Sequence, residues 1–298
     1  METILKTTDL TKRFGHKLAV NKVNMTINKG DIYGFIGKNG AGKTTFMKMI
    51  LNLTYKTSGD ISLFEGNLSK GHKIGSLIEA PGLYRNATAY ENMYRFSLIY
   101  GGNKNDIKEL LKLVGLSKVG KKKVKDFSLG MKQRLGIAIS LLGNPEFLVL
   151  DEPINGLDPA GIKEIRDIIL KLNKEKEITF LISSHLLDEL SKVVTKYGII
   201  NNGVLIEEVS SKELIDRCKN RLVISTSDLN KTKEVLKSIV NEEDIIIKNN
   251  EIEILSHVEE GEMINKYLSE HDIFASKICP ILDSLEDYFI EKIGDNNE

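Results

Sequence analysis

One octapeptide constrains what this chain can fold into more than any other segment: Gly37-Lys38-Asn39-Gly40-Ala41-Gly42-Lys43-Thr44. It matches the phosphate-loop pattern G-x-x-x-x-G-K-[ST] at every position. Its glycines let the backbone turn so that successive N–H groups point inward. The loop thereby places bound phosphates at the N-terminus of a helix. Lys43 can reach the β- and γ-phosphates of a nucleotide, and the Thr44 hydroxyl is positioned for Mg²⁺.

The sequence around this loop supports the same interpretation. Residues 31–36 form a short apolar segment that predicts a buried strand, and residues 45–51 predict the helix that leaves the loop. A glycine-rich turn without any ligand is the alternative, but the Lys43-Thr44 pair between a strand and a helix argues against it. Kinases, GTPases and many ATPases remain compatible with this motif alone.

A second apolar run, residues 147–150, ends in two adjacent acids, Asp151 and Glu152, and then in Pro153. The run shows no alternation, as expected of a parallel strand that is covered on both faces. Because consecutive strand side chains point to opposite faces, the two acids need not share one role. One can hold the water shell of a metal while the other polarises an attacking water. A solvated strand end is the alternative when the pair is taken out of context.

Between these motifs lies Phe127-Ser128-Leu129-Gly130-Met131-Lys132-Gln133-Arg134. With it, residues 1 to about 210 resemble the nucleotide-binding subunit of an ABC transporter. The segment is similar to the family's signature sequence Leu-Ser-Gly-Gly-Gln, from which Leu129 and Met131 depart, whereas Ser128 and Gly130 are retained. Taken alone, the segment would be interpreted as a glycine-containing turn at the start of an amphipathic helix.

The resemblance implies an α/β P-loop cassette with a helical insert over about residues 86–143. It implies that two copies, most simply a homodimer, sandwich two ATP molecules, with Lys43 and Thr44 of one copy facing Ser128 and Gly130 of the other. It also implies integral membrane permease subunits as partners, so the chain would lie at the cytoplasmic face of the membrane. Binding ATP would close the dimer, and hydrolysis would reset it.

The resemblance assigns roles to further residues. Glu152 would be the catalytic base, Asp151 would serve Mg²⁺, and His185 would contact the γ-phosphate and orient water. Phe14 would stack on adenine, although an aromatic near a turn is otherwise a core residue. The nucleotide-binding set then comprises Phe14, Gly37, Lys38, Asn39, Gly40, Ala41, Gly42, Lys43, Thr44, Thr45, Ser128 and Gly130.

Asp158, which precedes Pro159, has two interpretations. It is a good N-cap for a helix with proline at its first position. By resemblance it also bridges the two cassettes.

Glu79 stands where most family members carry glutamine, in a loop that touches Mg²⁺ and contacts the membrane partner. Glutamate at this place resembles the subgroup of ABC ATPases that expel bacitracin, lantibiotics and similar peptides. Thr88 and Glu91 follow with the spacing of a capping box, which predicts the start of a helix. An ordinary exposed carboxylate is the alternative for Glu79.

The composition limits the classes of partner. The formal net charge is +0, from 42 basic and 42 acidic residues, so no overall field favours nucleic acid. The two cysteines, Cys218 and Cys279, lack metal-site spacing and suggest a reducing compartment. The first residues do not resemble a signal peptide, and no apolar run approaches the roughly 18 residues that cross a bilayer. We therefore expect the chain to reach a membrane through a partner.

Residues 211–298 lack the motifs of the cassette and show a different pattern of strands and helices. They predict a small accessory domain that follows the cassette at 1–210 in the sequence. Strands are expected over 221–226, 244–248, 251–256 and 273–278, with helices over 231–240 and 259–270. This order resembles a ferredoxin-like α+β unit. The turn at Asn249-Asn250 and a closing helix from Ser284 belong to the same prediction. The domain contains no catalytic constellation, so a dimerisation or regulatory module is favoured over small-molecule sensing.

The alternatives are non-transport members of the same family. A ribosomal member usually holds two cassettes on one chain, and the DNA-repair type carries a long coiled coil; this chain shows neither. A regulatory module that only binds nucleotide would not need the carboxylate of Glu152. An ATP-hydrolysing transport subunit is therefore favoured over these alternatives.

Overall fold

The computed structural model describes residues 2–67, 71–218, 220–248, 250–281 and 285–294. The chain forms two compact units, Met1–Ser211 and Lys212–Glu298.

The first unit contains nine strands and six helices within the described residues. Its strands are β1 (Thr3–Phe14), β2 (Lys17–Asn28), β3 (Ile32–Ile36), β4 (Ser58–Leu63), β5 (Ile74–Leu77), β6 (Phe147–Asp151), β7 (Thr179–Ser184), β8 (Lys196–Asn201) and β9 (Val204–Ser210). Its helices are α1 (Lys43–Ile50), α2 (Ala89–Tyr100), α3 (Lys104–Leu113), α4 (Leu129–Ser140), α5 (Pro159–Lys176) and α6 (Leu187–Ser191).

A six-stranded sheet has the strand order β5-β6-β7-β3-β8-β9. Its strand β3 leads into the phosphate loop, and its strand β6 ends at the acidic pair Asp151 and Glu152. Its first five strands pair in parallel, and β9 pairs antiparallel to β8. Every residue of β3, β6 and β7 is buried, which explains their continuous apolar sequences. Because the three strands are adjacent and parallel, the residues that follow them meet at one edge of the sheet.

A three-stranded antiparallel sheet in the order β2-β1-β4 completes the core of the first unit. Its apolar side chains, such as Leu5 and Val20, belong to one buried cluster with Phe35 of β3 and Phe46 of α1. This cluster fixes the strand and the helix that flank the phosphate loop.

Two helix starts follow the side-chain capping that the sequence predicts, and a third, at Ser128, was not predicted as a cap. The capping box of α2 is confirmed: the Glu91 N–H donates to Thr88 Oγ1 at 3.2 Å, and the Thr88 N–H donates to Glu91 Oε2 at 2.8 Å. Asp158 caps α5, with its Oδ1 accepting the Gly161 N–H at 3.2 Å. Ser128 caps α4 through its hydroxyl. The insert over 86–143 thus holds α2, α3 and α4.

The second unit begins within α7 (Ser211–Arg217), whose first residue is the last residue of the first unit. Its further elements are β10 (Arg221–Thr226), α8 (Leu229–Leu236), β11 (Ile245–Lys248), β12 (Glu251–Ile254), α9 (Gly261–Glu270), β13 (Ala275–Ile281) and α10 (Leu285–Gly294). The strands form one antiparallel sheet in the order β11-β12-β10-β13. Apolar residues of this sheet and of α8 and α9 form a separate core, including Leu222, Ile252, Leu236 and Ile264.

Several element ends in this unit differ from the sequence prediction. The helix expected over 231–240 is α8, which begins earlier because Asp228 accepts the Lys231 N–H at 3.0 Å and so caps it. The strand expected over 273–278 runs from Ala275 to Ile281. Asn249 of the predicted turn and Ser284 of the predicted closing helix lie outside the described residues.

Among the described residues, no helix has both the length and the apolar character that crossing a membrane requires.

Candidate active site

The phosphate loop joins β3 to α1, as the sequence predicts, but the helix begins at Lys43 rather than at Thr45. Gly42 precedes it with φ +112°, in the region that favours glycine. A Cβ at Gly42 would lie 2.3 Å from the Ala19 carbonyl oxygen, and one at Gly37 would lie 2.5 Å from that of Ile200. The loop is therefore packed so closely that only glycine fits at these two positions.

A cleft of about 350 Å³ opens beside the loop and the start of α1. It brings one aromatic and one acidic residue together with the loop, and its lining comprises Phe14, Lys17, Ala19, Asn39, Gly40, Ala41, Gly42, Lys43, Thr44, Thr45 and Glu152. Phe14 is 52% exposed, and the Lys12 ammonium lies 4.7 Å from its ring centroid. A half-exposed ring at the rim of a cleft can offer a face to a flat ligand, whereas a core aromatic could not.

The Lys43 side chain is buried inside the loop that it follows. Its ammonium donates to the Gly37 carbonyl at 2.6 Å and to the Lys38 carbonyl at 3.3 Å. It also lies 3.3 Å from Glu152 Oε1. Gly37 and Lys38 do not line the cleft themselves. Their carbonyl groups hold the Lys43 ammonium in place.

Asp151 ends β6 and is almost fully buried beneath the start of α1. Its Oδ2 accepts the Thr44 hydroxyl at 2.8 Å, and its Oδ1 accepts the Ser183 hydroxyl at 2.6 Å. A hydroxyl and a carboxylate are oxygen ligands of the kind that Mg²⁺ prefers. No group of three or more His, Cys, Asp or Glu among the described residues could hold a metal ion. The Thr44 hydroxyl and the Asp151 carboxylate thus lie together at the start of α1.

Glu152, the next residue, has a different environment. Its φ is +49°, an uncommon value for a residue with a side chain. The Glu152 N–H donates to Ser183 Oγ at 2.9 Å, and its Oε2 lies 2.7 Å from His185 Nδ1. The other carboxylate oxygen lies near Lys43. Adjacent acids thus have separate partners, and the turn of the backbone aims Glu152 into the cleft.

Ser183 is the residue of this site that sequence reasoning missed. Its hydroxyl contacts both acids at once, because β6 and β7 pair in parallel with Asp151 opposite Ser183. Lys17 and Ala19, which line the cleft, were also missed. The only signal for Ser183 was its position two residues before His185.

Three predicted residues lie elsewhere in the structure. The Glu79 carboxylate pairs with the Lys48 ammonium at 2.6 Å on the exposed side of α1, and Glu79 does not line the cleft. Ser128 and Gly130 also lie outside the cleft, and a Cβ at Gly130 would contact Leu157 at 3.7 Å. Their roles toward nucleotide and metal therefore stay predictions.

A second polar cluster lies at the opposite, amino-terminal end of β3. The Tyr33 hydroxyl donates to Glu208 Oε1 at 2.8 Å, and the Lys196 ammonium lies 3.1 Å from the same oxygen. Burial raises the pKa of Tyr33 well above its usual value and also raises that of Asp31. Asp31 Oδ2 accepts the Asn28 N–H at 2.9 Å. This cluster is structural, since it is separated from the cleft by the length of the strand.

Comparisons with known proteins agree with this geometry. A family model described as ABC transporter matches residues 20–155. The chain is 46% identical to the bacitracin transport ATP-binding protein BcrA of Bacillus licheniformis, over 99% of this chain and 98% of that protein. It is 46% identical to the lantibiotic transport ATP-binding protein SrtF of Streptococcus pyogenes, over 74% of this chain and 98% of that protein. A solved ATP-binding cassette of an ABC transporter in its ADP conformation has a TM-score of 0.65 and 26% identity, covering 73% of this chain and 95% of that structure.

Proposed function

The chain belongs to the ATP-binding subunits of ABC transporters and is an ATPase of that family, and we propose that it drives export of a peptide antibiotic or a similar amphiphilic compound. The single observation that carries the catalytic part is the Glu152 carboxylate, held between Lys43 and His185 at the wall of a phosphate-loop cleft.

The phosphate loop and its lysine are the proposed grip on ATP. The backbone N–H groups of the loop and the positive end of α1 favour an anionic ligand. Lys43 adds a fixed positive charge, and Phe14 supplies the ring for adenine. Mg²⁺ would be held by Thr44 and Asp151, and Glu79 would contribute from the neighbouring loop if it left Lys48.

Glu152 is the proposed general base for the attacking water, and His185 is the proposed orienting group. The imidazole fixes one carboxylate oxygen at 2.7 Å, so the other is the one that can accept a proton. Asp151 does not compete for this role because both of its oxygens already accept hydroxyl hydrogen bonds. The geometry thus separates water activation from metal binding.

A second ABC subunit and membrane permeases are the proposed partners. Ser128 and Gly130 lie outside the cleft of their own chain, which supports a role toward the nucleotide of another copy. Permease subunits would anchor the pair at the cytoplasmic face of the membrane. The second unit, whose strand order β11-β12-β10-β13 and two helices fit a ferredoxin-like fold, is the proposed accessory domain.

The peptide-antibiotic substrate is supported by the relatives. One is named for bacitracin transport and matches almost the whole chain, and another is named for lantibiotic transport. Glu79 agrees with this subgroup at the residue level. No observation in the structure favours a ribosomal, DNA-repair or purely regulatory role.

Two substitutions test the proposed division of labour. We expect Glu152→Gln to retain ATP binding and to slow hydrolysis by about 10²–10⁴-fold, the usual contribution of a positioned base. Lys43→Ala should instead lose ATP binding. Mg·ATP binding and phosphate release would be measured for both proteins, with Glu175→Gln on an exposed helix position as the control. Wild-type turnover by Glu152→Gln would refute the assignment of the base.

The transport proposal needs a separate measurement. A bacitracin-sensitive host would express this chain together with its membrane subunits, and its growth would be compared with that of a host carrying the Glu152→Gln form. We expect resistance only with the wild-type chain. Equal sensitivity in the two hosts to bacitracin and to a lantibiotic, with normal ATPase activity, would contradict the substrate class but not the ATPase.

A further inference from the structure

Strand β11 is an outer edge of the sheet in the second unit, and its sequence is Ile245-Ile246-Ile247-Lys248. Ile246 and Ile247 are 39% and 42% exposed. A β-branched edge strand with outward backbone groups is a template for another strand. The opposite edge, β13, contains Pro280, which has no N–H to donate. The two edges of this sheet are therefore not equivalent, and β11 is the one suited to pairing.

The direction of the backbone groups of β11 follows from its register with β12. The Leu255 N–H donates to the Asp244 carbonyl at 3.0 Å, so this carbonyl faces β12, whereas the Asp244 N–H donates to the Asn241 carbonyl. Because the peptide bond is trans, the Ile245 N–H points away from β12. In an antiparallel ladder this direction alternates along the strand. Ile246 and Lys248 therefore also face β12, with which they pair. Ile245 and Ile247 direct their N–H and C=O groups away from the sheet.

These outward groups select one register for a second copy of the same strand. All four are used when Ile245 of one chain lies opposite Ile247 of the partner subunit, in an antiparallel arrangement with Ile246 on the two-fold axis. The same register brings Lys248 next to Asp244 of the partner subunit, the last residue of the 3₁₀ turn Glu242–Asp244 that leads into β11. The two-fold axis repeats this contact, so two pairs of opposite charge attract each other across the interface.

We propose that β11 of one chain pairs with β11 of a second copy, so that two accessory units form one continuous antiparallel sheet. The backbone register and the Lys248 and Asp244 charges lead independently to the same alignment, which is why a second copy fits this edge. Ile247 would then contact Ile245 of the partner subunit and lose its exposure to water. The association needs no nucleotide, so it would keep two cassettes together between rounds of ATP binding.

A charge-exchange experiment on the full chain tests the register. Sedimentation velocity without nucleotide, over a concentration series, should show a reversible dimer of the wild-type protein. Lys248→Asp and Asp244→Lys should each weaken the dimer about tenfold, since two attractive pairs become repulsive. The double variant should recover near wild-type association because the pairs are again opposite in sign. Lys266→Asp, an exposed charge reversal on α9, is the matched control.

The backbone and the two-fold axis are tested separately. Ile247→Pro removes an outward N–H and should abolish the dimer while the circular dichroism spectrum stays native. In a chain with Cys218→Ser and Cys279→Ser, Ile246→Cys should form an interchain disulfide under mild oxidation, whereas Phe274→Cys near the other edge should not. A monomeric wild-type chain, or a double charge variant no better than the single ones, would overturn the proposal. ATP binding and hydrolysis by Lys248→Asp would remain normal, so this failure is distinguishable from failure of the proposed ATPase site.

Discussion

Replacing Ser183 with alanine tests whether one buried hydroxyl organises both acidic residues of the site. Ser183 is fully buried, donates to Asp151 Oδ1 at 2.6 Å and accepts the Glu152 N–H at 2.9 Å. Alanine preserves the strand and fills almost the same space, but it leaves a carboxylate oxygen and an N–H without this partner. Both acids would then lose a contact that fixes their orientation.

The magnitude follows from the two contacts. A hydrogen bond to a buried carboxylate contributes about 2 kcal/mol, and a partly buried N–H without a partner costs about 1 kcal/mol. The loss of stability is therefore about 3 kcal/mol, which corresponds to a fall in Tm of about 6–12 °C for a unit of this size. If Glu152 also shifts by a fraction of an ångström, we expect kcat to fall by about 10²-fold.

The assay combines thermal unfolding of the full chain with steady-state ATP hydrolysis. Ser140→Ala is the matched control, because Ser140 is also buried and its hydroxyl donates only to a carbonyl within its own helix, that of Ile137 at 2.8 Å. We expect the control to change neither Tm nor kcat measurably. If Ser183→Ala behaves like Ser140→Ala in both measurements, Ser183 does not organise the site and the geometric argument is wrong.

Three further outcomes are expected. Phe14→Ala should weaken ATP binding by about 1–3 kcal/mol in a titration with nucleotide, and Phe14→Tyr should not, if the ring stacks on adenine. Glu79→Gln should leave ATP affinity nearly intact and lower peptide-antibiotic resistance in cells carrying the whole transporter; unchanged resistance in both Glu79→Gln and Glu79→Ala would make Glu79 a surface acid paired with Lys48. Asp31→Asn should raise Tm at neutral pH, because burial raises the pKa of Asp31. The native state therefore holds this proton more tightly than the unfolded chain, and the wild-type protein loses stability as the pH rises through the raised pKa. An Asp31→Asn effect that grows toward acid pH would contradict this sign.

The features that are set by local backbone geometry could be predicted from the sequence. The phosphate loop, the apolar strands that end at Ile36 and Asp151, and the capping of α2 by Thr88 depend on residues close together in the chain. Each is confirmed in place, with small shifts of the element ends. Local patterns suffice here because hydrogen-bonding partners lie within a few residues.

Contacts that depend on strand order could not be predicted in the same way. A serine within an apolar strand carries no special signal until the register places Ser183 opposite Asp151. The ion pair between Glu79 and Lys48 likewise joins a loop to a helix that are far apart in sequence. The three-stranded sheet of β1, β2 and β4 was not predicted either, because its pairing is set by the tertiary core.

The position of the Lys43 ammonium explains how the proposed base can depend on nucleotide. Both oxygens of Glu152 have cationic or hydrogen-bonding neighbours in this structure: Oε1 lies 3.3 Å from Lys43, and Oε2 lies 2.7 Å from His185. An oxygen that is paired with the Lys43 ammonium is not free to contact the attacking water. A phosphate in the loop competes for the same ammonium with a larger negative charge, so Lys43 would turn from Glu152 toward the nucleotide. Oε1 would then be released to accept a proton from water only when a phosphate is bound, which ties the activation of the base to the presence of its substrate.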